Sequence, residues 1–171
     1  GAHDDRFGNR LEAPSRGAPL NLAGRYTNLG ILTTYLLDAD SAMSYLQSAH
    51  EIYKREGDVK GILNTLYELA VTYYEAGQDD EVLRLYETFL EVYLSDFSDF
   101  KYKFLHLIGD LHHRKNQQEE ALKFYYEILN HSVLVGDSSI VKEVLKKIAE
   151  IAYITKNEKT LFYVVEKYLK L

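Results

Sequence analysis

The stretch Gly61–Ser95, GILNTLYELAVTYYEAGQDDEVLRLYETFLEVYLS, decides how the chain folds. It reads as two amphipathic helices joined by a tight turn at Gly77-Gln78-Asp79. In the first, Leu63, Leu66, Leu69, Ala70 and Tyr73 recur at the three- and four-residue steps that make one helical face. In the second, Val82, Leu85, Tyr86, Phe89 and Tyr93 do the same. One hairpin alone has nothing to bury both apolar faces against, so it needs neighbours of its own kind.

The chain supplies three more. With Ala23, Leu63, Tyr102 and Lys142 as first positions, successive copies start 40, 39 and 40 residues apart. The seventh positions are then Leu29, Leu69, Ile108 and Ile148, and the eighth are Gly30, Ala70, Gly109 and Ala149, all small. Position twenty holds Ala42, Val82, Ala121 and Leu161; position twenty-four, Leu46, Tyr86, Tyr125 and Val165; position twenty-seven, Ala49, Phe89, Ile128 and Tyr168. Loops recur in phase at Gly57-Asp58, Asp96-Phe97 and Gly136-Asp137. A small eighth residue has a physical reason: two helices that cross closely leave no room there for a large side chain. Asn116 followed by Glu119 has capping-box spacing, and Ser138 or Ser139 can cap the helix that starts near Ile140. The expected helices are 22–37, 41–56, 61–76, 80–95, 100–115, 118–134, 140–156 and 158–170, in repeats 22–60, 61–99, 100–139 and 140–171.

Composition agrees with one repeat domain. The 171 residues are 46% apolar and 27% charged, as in ordinary globular chains. No apolar run approaches the roughly 18–20 residues that span a bilayer, and Gly1-Ala2-His3-Asp4-Asp5 has neither half of a signal peptide. Gly-Ala-His resembles a protease-cleavage scar, so a domain excised from a larger protein, in a cytoplasmic setting, is the expectation. There is no cysteine, which excludes disulfides, zinc ribbons and thiol catalysis; this alone does not choose between cytoplasm and periplasm. The net charge of −6 argues against nucleic acid and anionic membranes. Residues 1–19 hold both prolines, Pro14 and Pro19, lack periodicity, and read as an arm or linker before a domain at 20–171.

These residues resemble the tetratricopeptide repeat family, whose pattern places Leu then Gly at adjacent positions of the first helix and Ala in the second. Leu29-Gly30 with Ala42 and Ala49, and Ile108-Gly109 with Ala121, fit it. The resemblance covers about residues 22–171. The period of 39–40 departs from the usual ~34, and no repeat ends in the usual Pro; longer repeats of this kind are similar to those of bacterial peptide-pheromone receptors and animal spindle-orientation adaptors. The resemblance implies an all-α, right-handed solenoid of four repeats whose first helices line a concave groove for a peptide or protein segment. Groove positions would be Thr27, Asn28, Thr34 and Tyr35 from the first repeat, and Asn64, Tyr67, Glu68 and Tyr74 from the second. The third would give Lys103, His106, Asp110, His113 and Arg114, and the fourth Lys146, Lys147, Glu150 and Tyr153. Such residues suit an extended peptide: amides satisfy its backbone, tyrosines give flat contact at low entropy cost, and cations hold acidic side chains. The family's carboxylate clamp is excluded, because Tyr67, Val71 and Leu107 stand where it needs amides and cations.

Several features invite sharper readings. His106, Asp110 and His113 lie at i, i+4 and i+7 of one helix, a spacing a metal could use; a polar groove that contains histidines is the simpler reading, since structural sites draw ligands from more than one element. No metal or other cofactor is expected, and His112 should lie near the hairpin crossing. The fifteen tyrosines could be a stacking platform for nucleic acid, but most, such as Tyr26, Tyr73, Tyr86, Tyr125 and Tyr168, fall on packing positions. Lys103, Arg114, Lys142, Lys146 and Lys147 would make one half of the groove positive, or they are ordinary solvated helix charge, diluted by Glu143 and Glu150. No phosphate loop, nucleophile elbow or His-Glu-x-x-His occurs, so no enzyme is expected.

Two functions from different classes therefore stand. One is a protein-interaction scaffold that takes a peptide segment in its groove. The other is a structural module, a homo-oligomer held through its terminal helices with Phe162, Val165 and Leu169 at the contact, because the helix from Leu161 to Leu171 is apolar on nearly all sides. Alternatively the 1–19 arm occupies the groove as a built-in competitor, in which case its deletion raises affinity for an outside ligand.

Overall fold

A computed structural model describes residues 17–93, 98–135 and 138–170, and these form eight α-helices. They are α1 (Ala18–Tyr35), α2 (Ala39–Glu56), α3 (Val59–Glu75), α4 (Asp79–Tyr93), α5 (Ser98–Arg114), α6 (Gln118–Val135), α7 (Ser138–Ile154) and α8 (Glu158–Tyr168). Each hairpin partner packs on its sequence neighbour, each second helix also packs on the next first helix, and α3 touches both α1 and α5. This is an all-α helical repeat solenoid. The loops expected at Asp96-Phe97 and Gly136-Asp137, the Ser138 side chain, and arm residues 1–16 lie outside the described residues.

Turn chemistry explains the helix ends. The fifteenth position of every repeat, Leu37, Gly77, Asn116 and Lys156, has φ between 55° and 71°. It is the left-handed residue that ends a helix. The next residue starts the following helix: the Asp38 and Asn157 side chains accept from the backbone N–H groups of Ser41 and Thr160 at 3.2 and 3.0 Å, and Asp58 does the same for Gly61 at 3.1 Å after left-handed Gly57. Asn116 is therefore not the cap that its spacing to Glu119 suggested. It makes the turn, and the helix starts two residues later. α1 begins four residues before the expected start, because Pro19 in the first turn fixes φ and lacks only an N–H that would be unpaired there.

The core is a chain of three apolar clusters, one at each repeat junction. The small eighth residue does what its size suggests. A Cβ on Gly30 would lie 2.5 Å from Leu46 Cγ, and one on Gly109 2.7 Å from Tyr125 Cε1, so positions eight and twenty-four meet at the crossing. Gly61 plays the same part at the α2–α3 junction, where an added Cβ would strike the Tyr53 ring at 2.2 Å. Two core expectations need correction. Leu29 is 42% exposed and Tyr168 40% exposed, whereas Ile108, Ile148, Phe89 and Ile128 at the same repeat positions are buried. Both lie in the outermost helices, where the described residues provide no further repeat to cover them.

Polar links tie the repeats together. Thr34 and Thr72 share a hydrogen bond of 2.8 Å between α1 and α3, and His50 Nδ1 meets Thr65 Oγ1 at 2.8 Å between α2 and α3. Burial, helped by the nearby Lys54 charge, holds the His50 pKa below its ordinary value of 6.5. The unfolded chain then binds a proton at this site more readily than the folded one, so stability rises with pH between the lowered value and about 6.5. The melting temperature should fall as pH drops from 7 through 6.5. The stability advantage of the native chain over His50→Asn should shrink across that interval, as read by thermal unfolding at matched ionic strength. A pH-independent difference between the two would remove His50 as the cause.

Candidate functional site

The first helices α3, α5 and α7 bring chemistry together on one side of the array. Asp110 on α5 is the hub. It accepts from the Tyr125 hydroxyl of α6 at 2.5 Å and from Lys147 Nζ of α7 at 3.0 Å, with His106 Nδ1 3.4 Å away on its other side. Burial and the bond to Asp110 push the Tyr125 hydroxyl pKa far up, so it stays a proton donor. One turn along α5, His113 Nδ1 lies 2.6 Å from Gln118 Oε1 and its Nε2 3.6 Å from Glu150 of α7.

Arg114 joins repeats rather than waiting for a ligand. Its guanidinium lies 3.9 Å over the Tyr74 ring, donates to the Tyr74 carbonyl at 2.8 Å, and pairs with Asp79, which Lys115 also approaches at 3.4 Å. Lys103 sits 5.3 Å over the Tyr67 ring and as far over Phe100, and Tyr67 stands edge-on to Phe104. Burial lifts the Tyr67 hydroxyl to about 12. The expectation of free cations for acidic side chains is thus corrected for two of them: Lys147 and Arg114 are already paired with carboxylates, because α5 places Asp110 beside α7 and the start of α4 places Asp79 beside the end of α5. Lys146 lines a different hollow, with Leu145, Ala149, Val165 and Leu169 at the α7–α8 end.

Two of the depressions on the first-helix layer bear on the expected groove. One, of about 170 Å³, is lined by Tyr67, Tyr102, Lys103, His106, Ile140 and Glu143, from three helices. His106 Nε2 is buried beside it without a hydrogen-bond partner; Glu143 comes no nearer than 3.6 Å, too far for a hydrogen bond. The other, of about 190 Å³, lies between α1 and α3 and is lined by Ile31, Thr34, Tyr35, Leu37, Glu68, Val71 and Glu75. Burial holds the Glu68 carboxyl pKa above its ordinary value, partly offset by the Lys103 charge. Among the described residues neither Glu68 nor Glu75 has an ion-pair partner.

The remaining expected contacts divide. Tyr35 and Tyr153 are about four-fifths exposed, at 80% and 77%, and Asn28 is exposed, while Asn64 is half-buried. Thr27 is not on the groove: it is buried, its hydroxyl donating to the Ala23 carbonyl at 2.9 Å. His112 stacks 5.4 Å from Phe124 at the α5–α6 crossing. Among the described residues no three metal-type ligands converge, because His106, Asp110 and His113 each turn to a different partner. Sequence reasoning missed Leu37, Glu75 and Ile140. Repeat position fifteen, where Leu37 stands in register with Gly77 and Asn116, was the available signal for the first of these.

No described helix is long and apolar enough to cross a membrane. The chain matches no curated protein and no solved structure. The sequence model of the tetratricopeptide repeat family matches residues 22–95, the span of α1 to α4. Tetratricopeptide repeats are protein-interaction modules. Residues 22–95 are thus similar to the tetratricopeptide repeat family, and α5 with α6 repeats the hairpin crossing of α1 with α2.

Proposed function

We propose that this chain is a non-enzymatic scaffold that binds an extended peptide segment along the layer formed by α1, α3, α5 and α7. The observation that carries it is the hollow at Tyr67, Lys103, His106 and Glu143. It offers a flat aromatic wall, a cation and a carboxylate to one incoming strand of backbone, with the unpartnered His106 Nε2 buried beside them. Charge favours a segment that carries a basic side chain beside an apolar one. The cations Lys147 and Arg114 are already matched, whereas Glu68 and Glu75 are not, and they share their depression with Ile31, Leu37 and Val71.

Selection from a displayed peptide library, with affinities by calorimetry, tests this. Binders should be enriched in Lys or Arg, and Tyr67→Ala should weaken them by about tenfold or more, about 1.4 kcal/mol, with the helical circular dichroism unchanged. Glu68→Gln gives a second check. Because burial raises the folded pKa of Glu68, its ionised form at pH 7 opposes folding, and the loss sets in as pH rises through the folded value. The amide should therefore raise the melting temperature at pH 7, with the gain fading toward pH 4, and should weaken binding of basic peptides. Binders that are acidic, or indifferent to Tyr67 and Glu68, would overturn the reading.

The exposed apolar face of α8 supports a second reading, in which the chain self-associates. Phe162 and Leu169 are 79% and 80% exposed and Val165 lies between them.

A further inference from the structure

We infer that copies of this chain join head to tail, the α8 face of one seated on the α1 face of the next, so that the junction repeats the one the chain builds between its own repeats. The inference rests on the self-association reading but adds the second surface and the geometry.

The internal junction between the third and fourth repeats shows what each face does. Ile128 and Leu129 of α6 share one buried cluster with Ile148 and Ile151 of α7. Those residues occupy positions twenty-seven and twenty-eight of one repeat and seven and ten of the next. On the outermost described helices the same positions are open. On α8 they are Tyr168 and Leu169, and on α1 they are Leu29 and Leu32, the last 55% exposed. Each end therefore presents one half of an interface, and the halves are complementary rather than alike. An α1 face has the apolar residues that an α8 face lacks a partner for, and α8 has a hollow of about 170 Å³ between Leu145, Ala149, Val165 and Leu169 to receive them. A contiguous exposed apolar face is a common mark of an interface. Repeat arrays are additive along one axis, so a second copy continues the array without new geometry. Such a contact joins unlike surfaces, so it propagates beyond a dimer unless the rotation closes a ring.

Sedimentation equilibrium across a hundredfold concentration range tests it, on the native chain, Leu29→Asp and Leu169→Asp. The native chain should rise in mean mass past that of two chains. Each variant alone should stay a single chain, and an equimolar mixture of the two should form a complex of one of each and no larger, because each variant keeps the face the other has lost. Helicity by circular dichroism is checked for both. If either loses its fold, Leu32→Asp or Phe162→Asp replaces it with the same expected pattern. A native chain that stays at single-chain mass throughout would overturn both the inference and the self-association reading. Dimers of Leu29→Asp, with none of Leu169→Asp, would overturn the head-to-tail geometry alone and leave pairing of α8 with α8. A mixture that remains monomeric would overturn it as well.

Discussion

Phe104→Ala should lower the unfolding free energy by about 3–5 kcal/mol, the range for removing a fully buried Phe ring. The ring on α5 has no exposed surface and stacks on Phe89 of α4 with centroids 4.8 Å apart. Tyr67 of α3 meets it edge-on at 5.7 Å and Tyr86 of α4 lies at 6.0 Å. It is thus the contact by which the third repeat is held on the second. Cohesion in a repeat array depends on such nearest-neighbour junctions, so the loss should appear in more than the midpoint. Urea unfolding followed by far-ultraviolet circular dichroism should show a lower midpoint and a broader or two-step transition, as α1–α4 and α5–α8 separate. An unchanged midpoint would mean that Tyr67 and Phe89 collapse fully into the space, which their own burial against other residues opposes.

How much of this could be read beforehand follows from the range of each interaction. The hairpin period, the small eighth residue and its partner at position twenty-four are local, periodic facts, and the crossings at Gly30–Leu46 and Gly109–Tyr125 realise them. Helix faces could be assigned from spacing, but not the end effects. Leu29 carries the same pattern as Ile108, and only its place in the outermost repeat exposes it. Charge could be counted but not paired. Arg114 with Asp79 and Lys147 with Asp110 are contacts 35 and 37 residues apart in sequence, set by how neighbouring repeats align. No helical periodicity records that alignment, which is why the sequence left a positive groove and ordinary solvated helix charge both open, whereas Arg114 and Lys147 are found paired with carboxylates. Asn116 failed as a cap for a similar reason. Asn suits both the cap and the left-handed turn residue, and the register of Gly77 and Lys156 at the same repeat position chooses the turn.

The same register makes two glycine substitutions on first helices take opposite signs. Gly24→Ala should stabilise the fold by about 0.5–1 kcal/mol, the propensity gain in a helix interior, because an added Cβ there meets nothing nearer than the Tyr53 hydroxyl at 3.9 Å. Gly109→Ala has the same propensity gain and should nevertheless destabilise, by about 1–2 kcal/mol net, since overpacking a tight site costs about 1–3 kcal/mol. Its Cβ would fall 2.7 Å from Tyr125 Cε1 and 3.1 Å from Cδ1 and Cζ. That ring has no exposed surface, and its hydroxyl is tied to Asp110, so it has no free direction to move in. The second repeat shows the alternative: Ala70 stands at position eight, and Tyr86 at position twenty-four stays half-buried. Gly109→Ala should push Tyr125 toward that arrangement and break its bond to Asp110. Asp110 would then keep Lys147 and His106 beside it and lose the Tyr125 donor. Thermal melts give the two signs, and the loss of the Tyr125–Asp110 bond is read as faster solvent exchange of the Tyr125 hydroxyl proton by NMR. A stable Gly109→Ala with that exchange unchanged would show that α5 and α6 can part by a few tenths of an ångström without cost, and the small residue at the crossing would then need another explanation.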